Sequence, residues 1–194
     1  MESGKTVGET EVIDVVRAIA DLDGNPHLHS ARLLLLLSEF SKGEQGHPVE
    51  GLTKLAKLDF LLRYPIMLDR ALRAKGRSTA EVKLEEHEKM SVESQMVRYR
   101  FGPWDHRYRE FLNILVGKGL ANIHEEGRKI VISVTPEGQA YASRISTNEA
   151  FEPYVRRAKV LRRNFDIQAS TLMKFIYDTF PEVLSLRSNQ PIVA

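Results

Sequence analysis

The chain has no cysteine among its 194 residues. Disulfides, thiolate metal sites and cysteine nucleophiles are excluded together, and a reducing compartment fits that absence. A long apolar run is missing as well. The longest aliphatic stretch is Leu33 to Leu37, where a membrane span needs about 20 residues, so this stretch predicts a buried helix segment. No apolar stretch follows Met1-Glu2-Ser3-Gly4-Lys5, which predicts no secretory signal and a cytoplasmic protein. Charge of one sign is lacking too: 28 Lys and Arg stand against 26 Asp and Glu, a net +2. So balanced a chain does not demand a nucleic-acid partner, and local clusters have to carry any such claim. What is present is ordinary for a globular protein, with 42% hydrophobic and 28% charged residues. That suffices for one domain with a real core, or two very small ones.

Catalytic motifs are equally scarce. Ser3-Gly4-Lys5-Thr6 looks like the end of a phosphate-binding loop, but the preceding glycine and strand are missing, so a polar tail is expected. His87-Glu88 begins a zinc-protease pattern that Ser91 breaks, and His27 and His29 stand beside a turn with no further ligands nearby. No Gly-x-Ser-x-Gly elbow occurs. The expectation is a protein with no active site, metal or cofactor of its own.

Hydrophobic periodicity predicts a succession of helices. Glu9 to Asp21 carry an amphipathic pattern, and Asp23-Gly24-Asn25-Pro26 breaks the chain. Ser30 to Ser41 is apolar nearly all round, which predicts the central buried helix. A third helix spans Leu52 to Arg63, with Leu55, Leu58 and Leu62 on its inner face and Lys54 and Lys57 elsewhere. Pro65 opens a fourth that runs to Gly76. Arg77 to Met90 are rich in Glu and Lys and read as a solvated connector. Gln95 to Phe101 alternate like a strand, Gly102-Pro103-Trp104 reads as a turn, and Asp105 is expected to cap a helix over His106 to Lys118. Two strands follow, Leu120 to His124 and Lys129 to Val134, with Glu125 to Arg128 as their hairpin. Thr135-Pro136-Glu137 starts another helix. Pro153 to Asn164 and Ile167 to Phe180 form the last two.

The stretch from Val97 to Ile145 reads strand, turn, helix, tight hairpin, helix. That order predicts a winged helix-turn-helix: a mainly α chain with a small β wing, of α+β class, carrying extra N- and C-terminal helices. The divisions expected are an N-terminal helical part over 1–76, a polar connector over 77–95, the winged segment over 96–146 and the C-terminal helices over 147–194, together one compact domain. Such a fold is nearly silent on function.

Two segments carry a closer likeness. One is Gly51-Leu52-Thr53-Lys54-Leu55-Ala56-Lys57-Leu58-Asp59-Phe60-Leu61-Leu62-Arg63-Tyr64-Pro65. The other is Arg98-Tyr99-Arg100-Phe101-Gly102-Pro103-Trp104-Asp105-His106-Arg107-Tyr108-Arg109. With the wing, over roughly residues 28–146, they resemble the middle component of bacterial ABC-three-component systems, itself similar to the accessory subunit of Lamassu-type anti-phage defence. The resemblance implies a small non-enzymatic subunit that bridges an SMC-like ABC ATPase and a nuclease-like effector, with no catalytic residues to carry over.

Surface contacts are the remaining candidates. Arg156, Arg157, Lys159, Arg162 and Arg163 form the densest basic cluster, with no acid between Pro153 and Asn164. Such a row suits phosphates or an acidic partner, while the plain alternative is a solvated helix side. Arg107 and Arg109 with His106 and Asn113 decorate the exposed side of the expected recognition helix, and Arg128 and Lys129 sit at the wing. Asp105, Glu110, Glu125 and Glu126 dilute that charge. Trp104 is expected to anchor the core, or else to be an interface hot spot. DNA contact, direct or through a complex, stays open. The competing function is a winged-helix transcription regulator acting as a homodimer.

Overall fold

The computed structural model describes residues 24–43, 46–84, 97–99, 102–127 and 129–185. The helix expected over Glu9 to Asp21 lies outside them.

Helix α1 spans Pro26–Phe40 and begins earlier than expected. The Asn25-Pro26 pair read as a break is its start signal. The Asn25 side chain accepts from the His27 and Leu28 amides at 2.9 and 3.4 Å, and Pro26 occupies the first turn, where its missing N–H costs nothing. Leu33 to Leu37 are at most 5% exposed. A helix buried on every side at this point must have neighbours all round, and the later helices supply them.

Strand β1 is only Val49–Glu50, too short to leave a period-two signal. Helix α2, Leu52–Arg63, follows directly and matches its expected bounds. Its burial does not match. The expectation that Lys54 and Lys57 lie off the inner face is corrected: every residue from Lys54 to Arg63 is buried. The pattern of leucines marked one face correctly, but further elements cover the others. Helix α3, Pro65–Ala74, closes with the Arg77 amide on the Leu72 carbonyl and Gly76 at φ +64°. The connector is not wholly solvated. Val82 is 1% exposed within the core, and residues 85–95 of the connector lie outside the described residues.

Strands β2, Val97–Tyr99, and β3, Gly102–Trp104, form an antiparallel ribbon with Val97 opposite Trp104. Gly102-Pro103-Trp104 is thus a strand rather than a turn. A two-stranded ribbon is all edge, so the missing proline N–H is tolerated there. Helix α4 is Tyr108–Gly117, with Tyr108, Phe111, Leu112 and Leu115 inward as expected. Asp105 does not cap it directly; its carboxylate accepts the Arg107 amide at 2.9 Å in a turn before the helix.

Strands β4, Ala121–Glu126, and β5, Lys129–Val134, make the expected hairpin, with Gly127 at φ +61° in the turn. β5 lies between β1 and β4, antiparallel to both. Helix α5, Pro136–Ile145, is capped by Thr135, which accepts the Gly138 amide at 2.9 Å. After a 3-10 turn at Glu149–Phe151 come α6, Glu152–Phe165, α7, Ala169–Thr179, and α8, Pro181–Ser185.

Helix α1 packs against α4, α5 and α6, while α2 packs against α3, α6, α7 and β3. Helix α6 therefore touches both central helices, and one apolar cluster runs from Leu33 through Phe111 and Leu161 to Val183. Among the described residues the fold is mainly helical with a small three-stranded antiparallel sheet, compatible with an α+β class. No described helix is long and apolar enough to cross a membrane.

Candidate partner interface and the buried charge network

The exposed candidates and the buried charges separate cleanly. Arg109 and Asn113 on α4 are exposed, and in the turn before it His106 is exposed and Arg107 part-buried. Arg107 turns back on its own chain: its guanidinium reaches Asp105 at 3.1 Å and lies 5.2 Å from the Phe111 ring. On the β4–β5 hairpin, the exposed Lys129 donates to Glu50 at 2.5 Å. The hydrogen bond and the charge of each partner pull Glu50 down and push Lys129 up. Arg128 lies outside the described residues.

The five cations of α6 do not form one open row. Arg157 is 2% exposed. Arg156 pairs with Glu152 one turn earlier, Arg162 with Asp166 one turn later, and Arg163 with Glu81 from the connector. Lys159 is exposed. A sequence window without acids did not reveal these partners because Glu152 and Asp166 flank it and Glu81 is remote.

Sequence reasoning missed the charges inside. Asp59 on α2 binds Arg32 of α1 through both oxygens, at 2.8 and 3.2 Å, and accepts the Tyr108 hydroxyl of α4 at 2.9 Å. Arg32 reaches His29 Nδ1 at 2.6 Å. Arg63, one turn beyond Asp59, donates to Asp105 at 3.0 Å. All six side chains are buried. Burial opposes charge on Arg63, but Asp59 and Asp105 outweigh it and raise it above the usual guanidinium range. Burial pushes the Asp105 carboxyl up, yet hydrogen bonds from Arg107 and the charges of Arg63 and Arg107 bring it to about 2. Burial, aided by the negative charge of Asp59, raises the Tyr108 phenol well above its usual value. A buried network of this kind costs desolvation and returns it only in the correct geometry, so it fixes how α1, α2 and α4 meet. Asp59 and Arg63 stand one helical turn apart, and that i, i+4 spacing is the local trace they leave in the sequence.

A second charged node lies at the junction of α6 and α7. Asp166, its side chain 8% exposed, takes His47 at 3.0 Å, Lys54 at 3.0 Å and also Arg162. Burial lowers the Lys54 amine. His47, Lys54 and Asp166 of this node line an open cleft of about 1340 Å³ together with Leu52, Thr53, Trp104, Ile130, Ile167 and Ser170. Trp104 is part-buried and meets Tyr108 edge-on, their ring centroids 5.4 Å apart. It thus supports the core network and faces the cleft together. Of the histidines noted in the sequence, His29 is absorbed into the network, His27 is exposed, and His87 lies outside the described residues. Among the described residues no group of three His, Asp or Glu is placed to hold a metal.

Compared with known protein families, curated proteins and solved structures, the chain matches none.

Proposed function

We propose that the chain is a winged-helix adaptor acting in the cytoplasm, an accessory subunit of an anti-phage complex that docks on an SMC-like ABC ATPase and helps to hold a nuclease-like effector. The order α1, β1, α2, then α3 and the β2–β3 ribbon, then α4 and the β4–β5 hairpin, with β1 beside β5, supports the winged-helix part. The family part rests on the segments Gly51 to Pro65 and Arg98 to Arg109 and on what they resemble.

The observation that carries the adaptor reading over a DNA grip is the pairing of cations within the chain. Arg156, Arg162, Arg163 and Lys129 already hold carboxylates of their own chain. Neutralised cations gain little from phosphates, because DNA affinity comes largely from counterions released by unpaired positive charge. A body braced by buried charges, with its surface charge internally balanced, suits rigid docking better.

The transcription-regulator reading keeps one favourable observation: Arg109 and Asn113 are exposed along α4, where base edges would be read. Co-expression with the products of neighbouring genes decides between the two. The adaptor co-purifies with an SMC-like ATPase and an effector in fixed ratio. Isolation as a homodimer that shifts one palindromic DNA site sinks the adaptor reading.

A further inference from the structure

The wing hairpin leaves one edge of the sheet open, and its hydrogen-bond phase can be worked out. The Thr135 amide donates to the Leu120 carbonyl at 3.2 Å, and the Gly51 amide donates to the Ile130 carbonyl at 2.7 Å. The first bond turns the Leu120 carbonyl toward β5. The second turns the Ile130 carbonyl toward β1, so Ile130 and its partner Glu125 form a non-hydrogen-bonded pair. Both bonds give the same phase. Asn122, His124 and Glu126 bond β5, while the main chain of Ala121, Ile123 and Glu125 points away from it. Ala121 is buried, but Ile123 is 39% exposed and Glu125 is exposed too.

Natural edges are blunted by lysine, proline or a bulge. The β4 strand, Ala-Asn-Ile-His-Glu-Glu, has neither lysine nor proline, and its register with β5 is unbroken from Ala121 to Glu126. Its protection is acidic. His124 holds Glu126 at 3.2 Å, whereas Glu125 has no ion pair among the described residues. A second copy of this strand would bring two more glutamates into the same ladder, and like charges across a ladder repel. A cationic strand gains where a copy loses.

We propose that the β4 edge receives an extended, cationic segment of a partner protein, which pairs with the main chain of Ile123 and Glu125, sets an apolar residue beside Ile123 and a Lys or Arg beside Glu125. This is strand addition, in which main-chain bonds give affinity and alternate side chains give specificity. The inference deepens the adaptor reading and rests on it for the occupant being a protein.

Residue-resolved amide exchange on the full chain tests it, with two capped octapeptides as probes, one repeating Val-Thr-Lys-Thr (the Lys/Val peptide), the other Val-Thr-Glu-Thr (the Glu/Val peptide), so that one face presents Val and the charged residue in turn. The Ile123 and Glu125 amides exchange fast in the free monomer. Saturating Lys/Val peptide slows both by about tenfold or more, and the Glu/Val peptide leaves them unchanged. Ile123→Pro removes an N–H that β5 does not use and abolishes the protection. Glu125→Lys weakens the Lys/Val peptide by about fivefold, which keeps the test alive if the proline variant does not fold. Protection already present in the free monomer, no protection by millimolar Lys/Val peptide, or equal protection by both peptides overturns the proposal. So does a concentration-dependent dimer that Ile123→Pro dissolves, which assigns the edge to a second copy. Retained co-purification with ATPase and effector in the face of such a failure leaves the adaptor reading standing. Failed co-purification sinks that reading while the exchange result is still read.

Discussion

The Tyr108 hydroxyl donates to Asp59 Oδ2 at 2.9 Å, tying α4 to α2 through the one carboxylate that also holds Arg32 of α1. Three helices far apart along the chain are thereby locked at a single carboxylate. Removing the carboxylate leaves Arg32 uncompensated in the core and deprives Arg63 of a supporting charge. Asp59→Ala therefore lowers unfolding free energy by about 3–5 kcal/mol, while Tyr108→Phe costs about 1–2 kcal/mol. Urea unfolding followed by circular dichroism measures both. Equal and small losses would show that the network is not the brace.

Asp105 gives the chain an acid limit. Its carboxyl is held at about 2 against an ordinary 3.8. A depressed carboxylate contributes stability that is complete above the unfolded value and disappears as pH falls through the folded one. The contribution is about 2 kcal/mol, lost between roughly pH 4 and pH 2. Asp105→Asn lacks that contribution at every pH, so the gap between wild type and variant narrows over this window. A gap of constant size contradicts the assignment.

Lys57 has the opposite sense. It is wholly buried, and burial pushes its amine down from 10.5 to about 8. Between those values the unfolded chain binds more protons than the folded one, so stability rises with pH there. The difference between wild type and Lys57→Met shifts by about 3 kcal/mol in favour of wild type from pH 8 to pH 10.5, read from denaturant midpoints. A flat difference would place the amine in a wetter setting.

Gly138 sits where α5 leaves the sheet. A Cβ there would lie 2.0 Å from the Leu120 carbonyl oxygen and 2.7 Å from a Val134 methyl. Neither the β4 entry nor the cap can yield easily, so Gly138→Ala costs about 3 kcal/mol. Gly117, at the end of α4, has open space around its Cβ position, and Gly117→Ala stabilises by about 0.5 kcal/mol. Thermal midpoints moving in opposite directions check the pair.

Much of this architecture could be read in advance. The Leu33–Leu37 run, the Pro65 helix start, the inner face of α4 and the Thr135 cap all express local rules, and the structure keeps them. Three kinds of feature stayed hidden. Val49–Glu50 is too short to show alternation. Pro103 looked like a turn because proline is excluded from central strands, whereas the ribbon it joins has no centre. The inward charges of α2, Asp59 and Arg63, left no local signal beyond their spacing because their partners, Arg32 and Asp105, lie far along the chain. The partners of the α6 cations stayed hidden for a related reason: the residues that pair with Arg156, Arg162 and Arg163 stand just outside the window or in the connector.

Trp104 is the chain's single tryptophan, and it stands edge-on to Tyr108 while walling the cleft. Its fluorescence is therefore an assignable optical probe without labelling. One emission signal reports whether the α2–α4 brace is intact, and a quencher admitted to the cleft reports whether that space is occupied.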